Sequence, residues 1–99
     1  MAQKVYKFWR IKRWTEVWNQ LPEEEKGRIF GEVKKNLEAV GGEWMLRCRS
    51  YWANDDYLSW GINVYPSLEA AMEDGENLRK MGFWRYVESE SMLGVARDE

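Results

Sequence analysis

One segment limits the possible folds more than any other. From Glu43 to Tyr65, EWMLRCRSYWANDDYLSWGINVY, the chain reads as two strands joined at Asn54-Asp55-Asp56. Alternate residues place Trp44, Leu46, Cys48, Ser50 and Trp52 on one face of the first strand, and Leu58, Trp60, Ile62 and Val64 on one face of the second. Period-two alternation is what a half-buried strand requires, so these faces are expected to hold the helices. The opposite faces carry Met45, Arg47, Arg49 and Tyr51, then Tyr57, Ser59, Gly61, Asn63 and Tyr65. That mixture is too aromatic for a bare solvent face and too polar for an ordinary core, and function is sought there.

The other elements assemble around this pair. Val5 to Arg13 is β-branched and aromatic without Gly or Pro and predicts a first strand, with Val5, Lys7, Trp9 and Ile11 on one face. Thr15 can cap a short turn holding Val17, Trp18 and Leu21. Pro22 then suits the first position of the main helix, with Glu23, Glu24 and Glu25 where the helix dipole favours carboxylates. Ile29, Phe30, Val33, Leu37 and Val40 recur at helical spacing before Gly41-Gly42 ends the helix. Gly27 and Gly31, each about 1 kcal/mol worse than Ala in a helix interior, suggest close packing. Ser67 is the expected N-cap of a second helix whose inward stripe is Leu68, Ala71, Met72, Gly75, Leu78 and Met81, with Gly82 as its stop. Tyr86 to Ala96 alternates as a fourth strand.

The expected fold is therefore α+β, a ferredoxin-like βαββαβ arrangement with a four-stranded antiparallel sheet and two main helices on one face. Ninety-nine residues are expected to make one domain spanning 1–99, since folding at this size removes roughly 60 to 70% of the surface and supports a single core. Fifteen basic against 17 acidic residues, a net charge of -2, give no field that would attract polyanions or an anionic membrane. The one cysteine, Cys48, cannot form an internal disulfide and is expected as a small buried hydrophobe in a reducing compartment. The start, MAQKVYKFWRIKR, has no apolar signal-peptide core, and no run approaches the roughly 20 apolar residues that span a bilayer. A cytoplasmic location is the expectation. Seven of the 15 aromatics are Trp, which suggests that the sheet buries both of its faces.

A two-layer fold leaves one sheet face bare, and an aromatic face needs a cover. Pairing two such sheets across a two-fold axis supplies one. In element order nearly the whole chain resembles the dimeric α+β barrel superfamily, which includes the antibiotic-biosynthesis monooxygenase-like, stress-responsive barrel, EthD-like and muconolactone isomerase-like families. The turn from Trp14 to Leu21 followed by PEEE, and the GGE entering the second strand, are similar to the helix-one region of several of these families. The resemblance implies a homodimer through the sheet faces, with a cavity between sheet and helices or inside the barrel, and it implies no single reaction.

Candidate chemistry follows from what the chain has and lacks. Several members bind haem or metal through histidine; this sequence contains none, so no metal and no cofactor is expected. Asp55 and Asp56 at a hairpin tip are explained by turn chemistry. Arg47 and Arg49 project two residues apart beside Tyr51, facing Tyr57 and Asn63, and a guanidinium fork is the best grip for a carboxylate. The competing reading pairs both arginines with Glu43, Glu88 or Glu90, within the chain or across a dimer. The expected function is binding of an amphiphilic or aromatic small molecule, carboxylate-bearing in one version, in a pocket lined by Arg47, Arg49, Tyr51, Tyr57, Asn63, Trp9 and Tyr65. The enzymatic alternative is a cofactor-independent monooxygenase, because some relatives oxidise aromatic substrates in an Asn- and Trp-lined cavity, and Asn63, Trp9 and Trp60 offer those residue types. A homodimer with a filled core is a third reading. RNA binding is the fourth: GFWRYV at 82–87 looks like an RNA-recognition signature but precedes the wrong strand, and the charge argues against it, so no nucleic-acid partner is expected.

Overall fold

The β-branched and aromatic run after Lys4 forms the longest strand, β1 (Val5–Trp14), and it takes an inner position in the sheet. After it come α1 (Glu16–Asn19), α2 (Glu23–Ala39), β2 (Glu43–Arg49), β3 (Ser59–Tyr65), α3 (Leu68–Lys80), a 3-10 turn (Phe83–Arg85) and β4 (Val87–Gly94). The computed structural model describes residues 3–97; from sequence, Arg97, Asp98 and Glu99 are expected as a frayed tail, and the last two of these lie outside the described residues. The sheet has the order β2-β3-β1-β4 with every neighbouring pair antiparallel, which is the ferredoxin-like arrangement expected. Among the described residues no helix is long and apolar enough to cross a membrane.

Both main helices lie on one face of this sheet. One apolar cluster joins Trp18 of α1, Ile29 of α2 and Leu78 of α3 to Phe83, Tyr86 and Val87, with Ile11 and Trp14 of β1 packed against it. A second joins Leu37 of α2 and Ala71 of α3 to Val5 and Tyr65, with Trp44 against it. Rings dominate the first cluster: the Trp14 and Trp18 rings stack at 4.6 Å, and Phe30 meets both of them edge-on. The segment from Gly82 to Tyr86 contributes to this core through its 3-10 turn, a turn that the period-two reading of the region did not anticipate.

The local signals at helix ends mostly hold. Pro22 sits one place earlier than expected, as the N-cap of α2 with Glu23 first in the helix, the Thr15 side chain makes no cap bond to α1, and Gly41 leaves α2 at a φ of 79°, a left-handed conformation that glycine adopts without strain. Ser67 caps α3 by accepting a bond from the Ala70 amide at 3.1 Å. Packing departs from expectation elsewhere. A methyl group on Gly27 or Gly31 would meet nothing within 4 Å, so no close neighbour explains either glycine. On α3 the buried residues are Ala71, Asp74 and Leu78, whereas Leu68 and Met72 of the expected stripe are exposed.

The larger correction concerns the faces of the sheet. In β3 it is Gly61, Asn63 and Tyr65 that are buried toward the helices, while Trp60, Ile62 and Val64, expected there, look to the other side. In β2 a bulge between Trp44 and Leu46 breaks the alternation. Trp44 therefore faces the helices as expected, but Leu46 and Cys48 pair with Ile62 and Trp60 on the open face, and Cys48 is only half-buried there. One extra residue in a strand reverses the parity of all that follow it. The strands are also shorter than the alternation suggested: Ser50 to Leu58 form a connecting loop, closed where the Ser50 and Tyr51 amides donate to the Leu58 carbonyl at 2.9 and 3.0 Å. Asn54 carries the turn, accepting from the amides of Asp56 and Tyr57 at 2.7 and 3.1 Å.

Candidate functional site

The burial of Asn63 and Tyr65 places polar chemistry between sheet and helices. A cavity of about 120 Å³ lies there. Its apolar wall includes Trp9, Trp14, Trp44, Leu78 and Phe83, and polar groups reach it from Lys7, Arg47, Asn63, Ser89 and Ser91. Phe30, Trp84 and Arg47 line it while remaining exposed, which puts them at its rim. Gly61 sets the floor: a Cβ there would come within 2.4 Å of the Trp9 ring, so only glycine lets that indole lie across β3.

A chain of hydrogen bonds runs from this floor into the core. Trp9 Nε1 donates to Asn63 Oδ1 at 3.0 Å, Asn63 Nδ2 donates to the Tyr65 hydroxyl at 3.3 Å, and that hydroxyl donates to Asp74 Oδ2 at 2.6 Å. An indole N–H can only donate, so its contact fixes which end of the Asn63 amide carries oxygen. One N–H of the amide is spent on Tyr65, leaving its second donor available at the cavity. At the far end, Asp74 is 3% exposed and its Oδ1 has no hydrogen-bond partner among the described residues. Burial raises the Asp74 carboxyl above its ordinary pKa, opposed by the Tyr65 bond and the Lys7 charge. Burial, together with the bond to Asp74, pushes the Tyr65 hydroxyl well above the usual phenol range.

Two cations border the cavity and differ in kind. The Lys7 ammonium sits 5.9 Å from the centre of the Trp84 ring, and burial lowers its pKa although Asp74 pulls the other way. The Arg47 guanidinium lies 4.1 Å from the centre of the Trp44 ring. Among the described residues neither takes part in an ion pair. Of the carboxylates considered as partners for Arg47 and Arg49, Glu88 pairs with Arg13 at 3.0 Å and Glu90 with Arg10 at 2.9 Å and Lys12 at 3.9 Å, while Glu43 forms no ion pair among the described residues.

The seven residues expected to share one pocket separate. Trp9, Arg47 and Asn63 meet at the cavity, with Tyr65 behind Asn63. Arg49 shares the face of Arg47, opposite Ser59, but is exposed and outside the cavity. Tyr51 is an exposed loop residue. Tyr57 belongs to the open face, where it donates to Glu90 Oε1 at 2.9 Å beneath the Arg10 guanidinium. Trp60, offered for oxygen chemistry, lies on the open face beside Phe8 and outside the cavity. Lys7 and Asp74 were missed. Lys7 shares its parity with Trp9, and Asp74 stands three residues after Ala71 and four before Leu78, in register with the true inward stripe.

No family model matches the sequence, and no curated protein matches it. Several solved structures match the fold, two of them along nearly the whole length of both chains. One is a mutant form of SnoaB, a cofactor-independent oxygenase from Streptomyces nogalater, with 16% identity and a TM-score of 0.59 over 99% of this chain and 97% of that one. The likeness is one of fold: the same ferredoxin-like α+β arrangement of a four-stranded antiparallel sheet and helices. The other is the hydroxynitrile lyase of Passiflora edulis, with 10% identity and a TM-score of 0.60 over 100% of this chain and 98% of that one. At these identities the likeness carries the fold of one chain and no residue roles.

Proposed function

We propose that the cavity between sheet and helices binds a small aromatic molecule bearing a carboxylate. The observation that carries this reading is Arg47, a guanidinium with no ion-pair partner among the described residues, at the rim of a cavity walled by Trp9, Trp14 and Trp44. Aromatic walls suit a planar ring, and a guanidinium fork suits a carboxylate oxygen pair. Volume narrows the class: about 120 Å³ is comparable to the roughly 150 Å³ cavities that accept benzene, so one ring fits and a fused polycycle does not. The spare N–H of Asn63 adds a directional donor to whatever oxygen lies beside Trp9. Tryptophan fluorescence during titration with benzoate tests the proposal. Saturable quenching is expected, with Arg47→Ala weakening affinity about tenfold or more, the scale of a lost charge-assisted hydrogen bond. Quenching that is absent, or indifferent to Arg47, would remove it.

A second reading, cofactor-independent oxygenation of an electron-rich ring, is favoured by the bonded pair Trp9 and Asn63 at the cavity and by the likeness in fold to an oxygenase of that kind. Oxygen uptake with hydroquinones distinguishes it from binding alone. In either case the open sheet face, with Met45, Leu46 and Met92 more than 40% exposed, supports pairing of two copies sheet to sheet.

A further inference from the structure

We propose that Lys7 is a nucleophilic amine that condenses with an aldehyde held in the cavity, forming an imine between its Nζ and the carbonyl carbon of an aromatic aldehyde. This rests on the reading of the cavity as an aromatic-binding site and adds a covalent step to it. Lys7 stands on the helix-facing side of β1, between Val5 and Trp9, where its cross-strand partner is Asn63. It lines the cavity, and its Nζ has neither an ion-pair partner nor a hydrogen-bond acceptor among the described residues. A surface lysine is surrounded by water and stays protonated; Lys7, half-buried beside the Trp84 ring, keeps only part of that hydration. Burial lowers its pKa, with the Asp74 charge offsetting part of the effect, so a larger fraction carries the lone pair that attacks carbonyl carbon.

The step is balanced without any oxidant or reductant. Neutral Nζ adds to the carbonyl carbon and gives a carbinolamine after a proton moves from nitrogen to oxygen. The hydroxyl then takes a further proton and leaves as water, and nitrogen loses its remaining proton as the C=N bond closes. Asn63 is placed to help, since its unspent amide N–H can steady the developing charge on the carbonyl oxygen while Trp9 and Tyr65 hold the amide in one orientation. The Ser89 and Ser91 hydroxyls, on the cavity side of β4, give the released water polar neighbours.

The test uses the intact chain with 4-formylbenzoate as probe and cyanoborohydride to trap the imine as a secondary amine. Peptide mapping is expected to place a single early adduct on Lys7, formed at least about tenfold faster than on any other lysine, as a desolvated amine requires. Lys7→Arg keeps the positive charge but cannot form an imine, and it should abolish the early adduct. Adducts spread evenly over the lysines, while benzoate still quenches the wild-type chain, would overturn the imine and leave the binding site standing. Even labelling together with no benzoate binding by the wild-type chain would overturn both.

Discussion

A single methyl group at position 61 would land 2.4 Å from the Trp9 ring and 2.6 Å from the Leu46 carbonyl oxygen. Gly61→Ala is therefore expected to push the Trp9 indole out of place, break its bond to Asn63 and destabilise the fold by about 1–3 kcal/mol, the usual cost of overpacking. Denaturant unfolding measures the loss; a variant with unchanged stability and unchanged Trp fluorescence would contradict the close approach. Asp74 makes a second prediction at this scale. Because burial raises its pKa from 3.8, the folded chain holds that proton more tightly than the unfolded chain does. The stability this supplies is complete below the unfolded pKa and is lost as pH rises through the folded one. Native stability measured against Asp74→Asn should thus decline from pH 3.8 upward and level off once the carboxyl is ionised. A difference that does not vary with pH, or that grows with it, would sink the assignment. Asp74 was legible in hindsight, since a carboxylate in register with Ala71 and Leu78 breaks an apolar stripe. Its neighbour along the chain of bonds, Asn63, was picked out from sequence for its residue type, but the bond to Trp9 crosses 54 positions and no local pattern encodes it.

Elements were read more securely than the faces they present. Strand and helix types, the Ser67 cap and the Gly41 exit follow from short-range chemistry, which sequence displays directly. Parity failed because the apolar side of β3, Trp60, Ile62 and Val64, faces away from the helices while Gly61, Asn63 and Tyr65 face them, and because the bulge at Met45 moves β2 out of phase. Alternation reports that a strand has two faces; it does not say which face meets the helices when both are to be covered. Tyr65 and Asn63 could go inward because their polar atoms are bonded there, a long-range condition. Helix α2 offers the clearest test of local reasoning. Gly27 and Gly31 have no neighbour that a methyl group would strike, so Gly27→Ala and Gly31→Ala should each raise stability by up to about 1 kcal/mol through propensity alone. Thermal unfolding decides it, and a destabilised variant would mean that something outside the chain packs on that helix. The same substitution thus has opposite expected signs in α2 and in β3, and the space around the missing Cβ is what separates them.

At the scale of the whole molecule, the proposed assembly depends on the face that Phe8, Trp60, Ile62 and Val64 share. Placing a charge at its centre with Ile62→Glu should shift the protein from dimer to monomer in sedimentation velocity while leaving the helix-facing core intact, because an unpaired carboxylate in an apolar seam costs several kcal/mol. A wild-type chain that sediments as a monomer at micromolar concentration would remove the sheet-to-sheet arrangement. Strands β1 and β3 carry both proposed functions on alternate residues: Lys7 and Trp9 face the cavity, while Tyr6, Phe8 and Arg10 face the other way. The bulge at Met45 then has a consequence for heredity as well as for shape. Tolerance to substitution along β1 and β3 should oscillate between ligand and partner with every step, and in β2 the rhythm should skip one beat at Met45, so that Trp44 and Arg47, three residues apart, answer to the same selection.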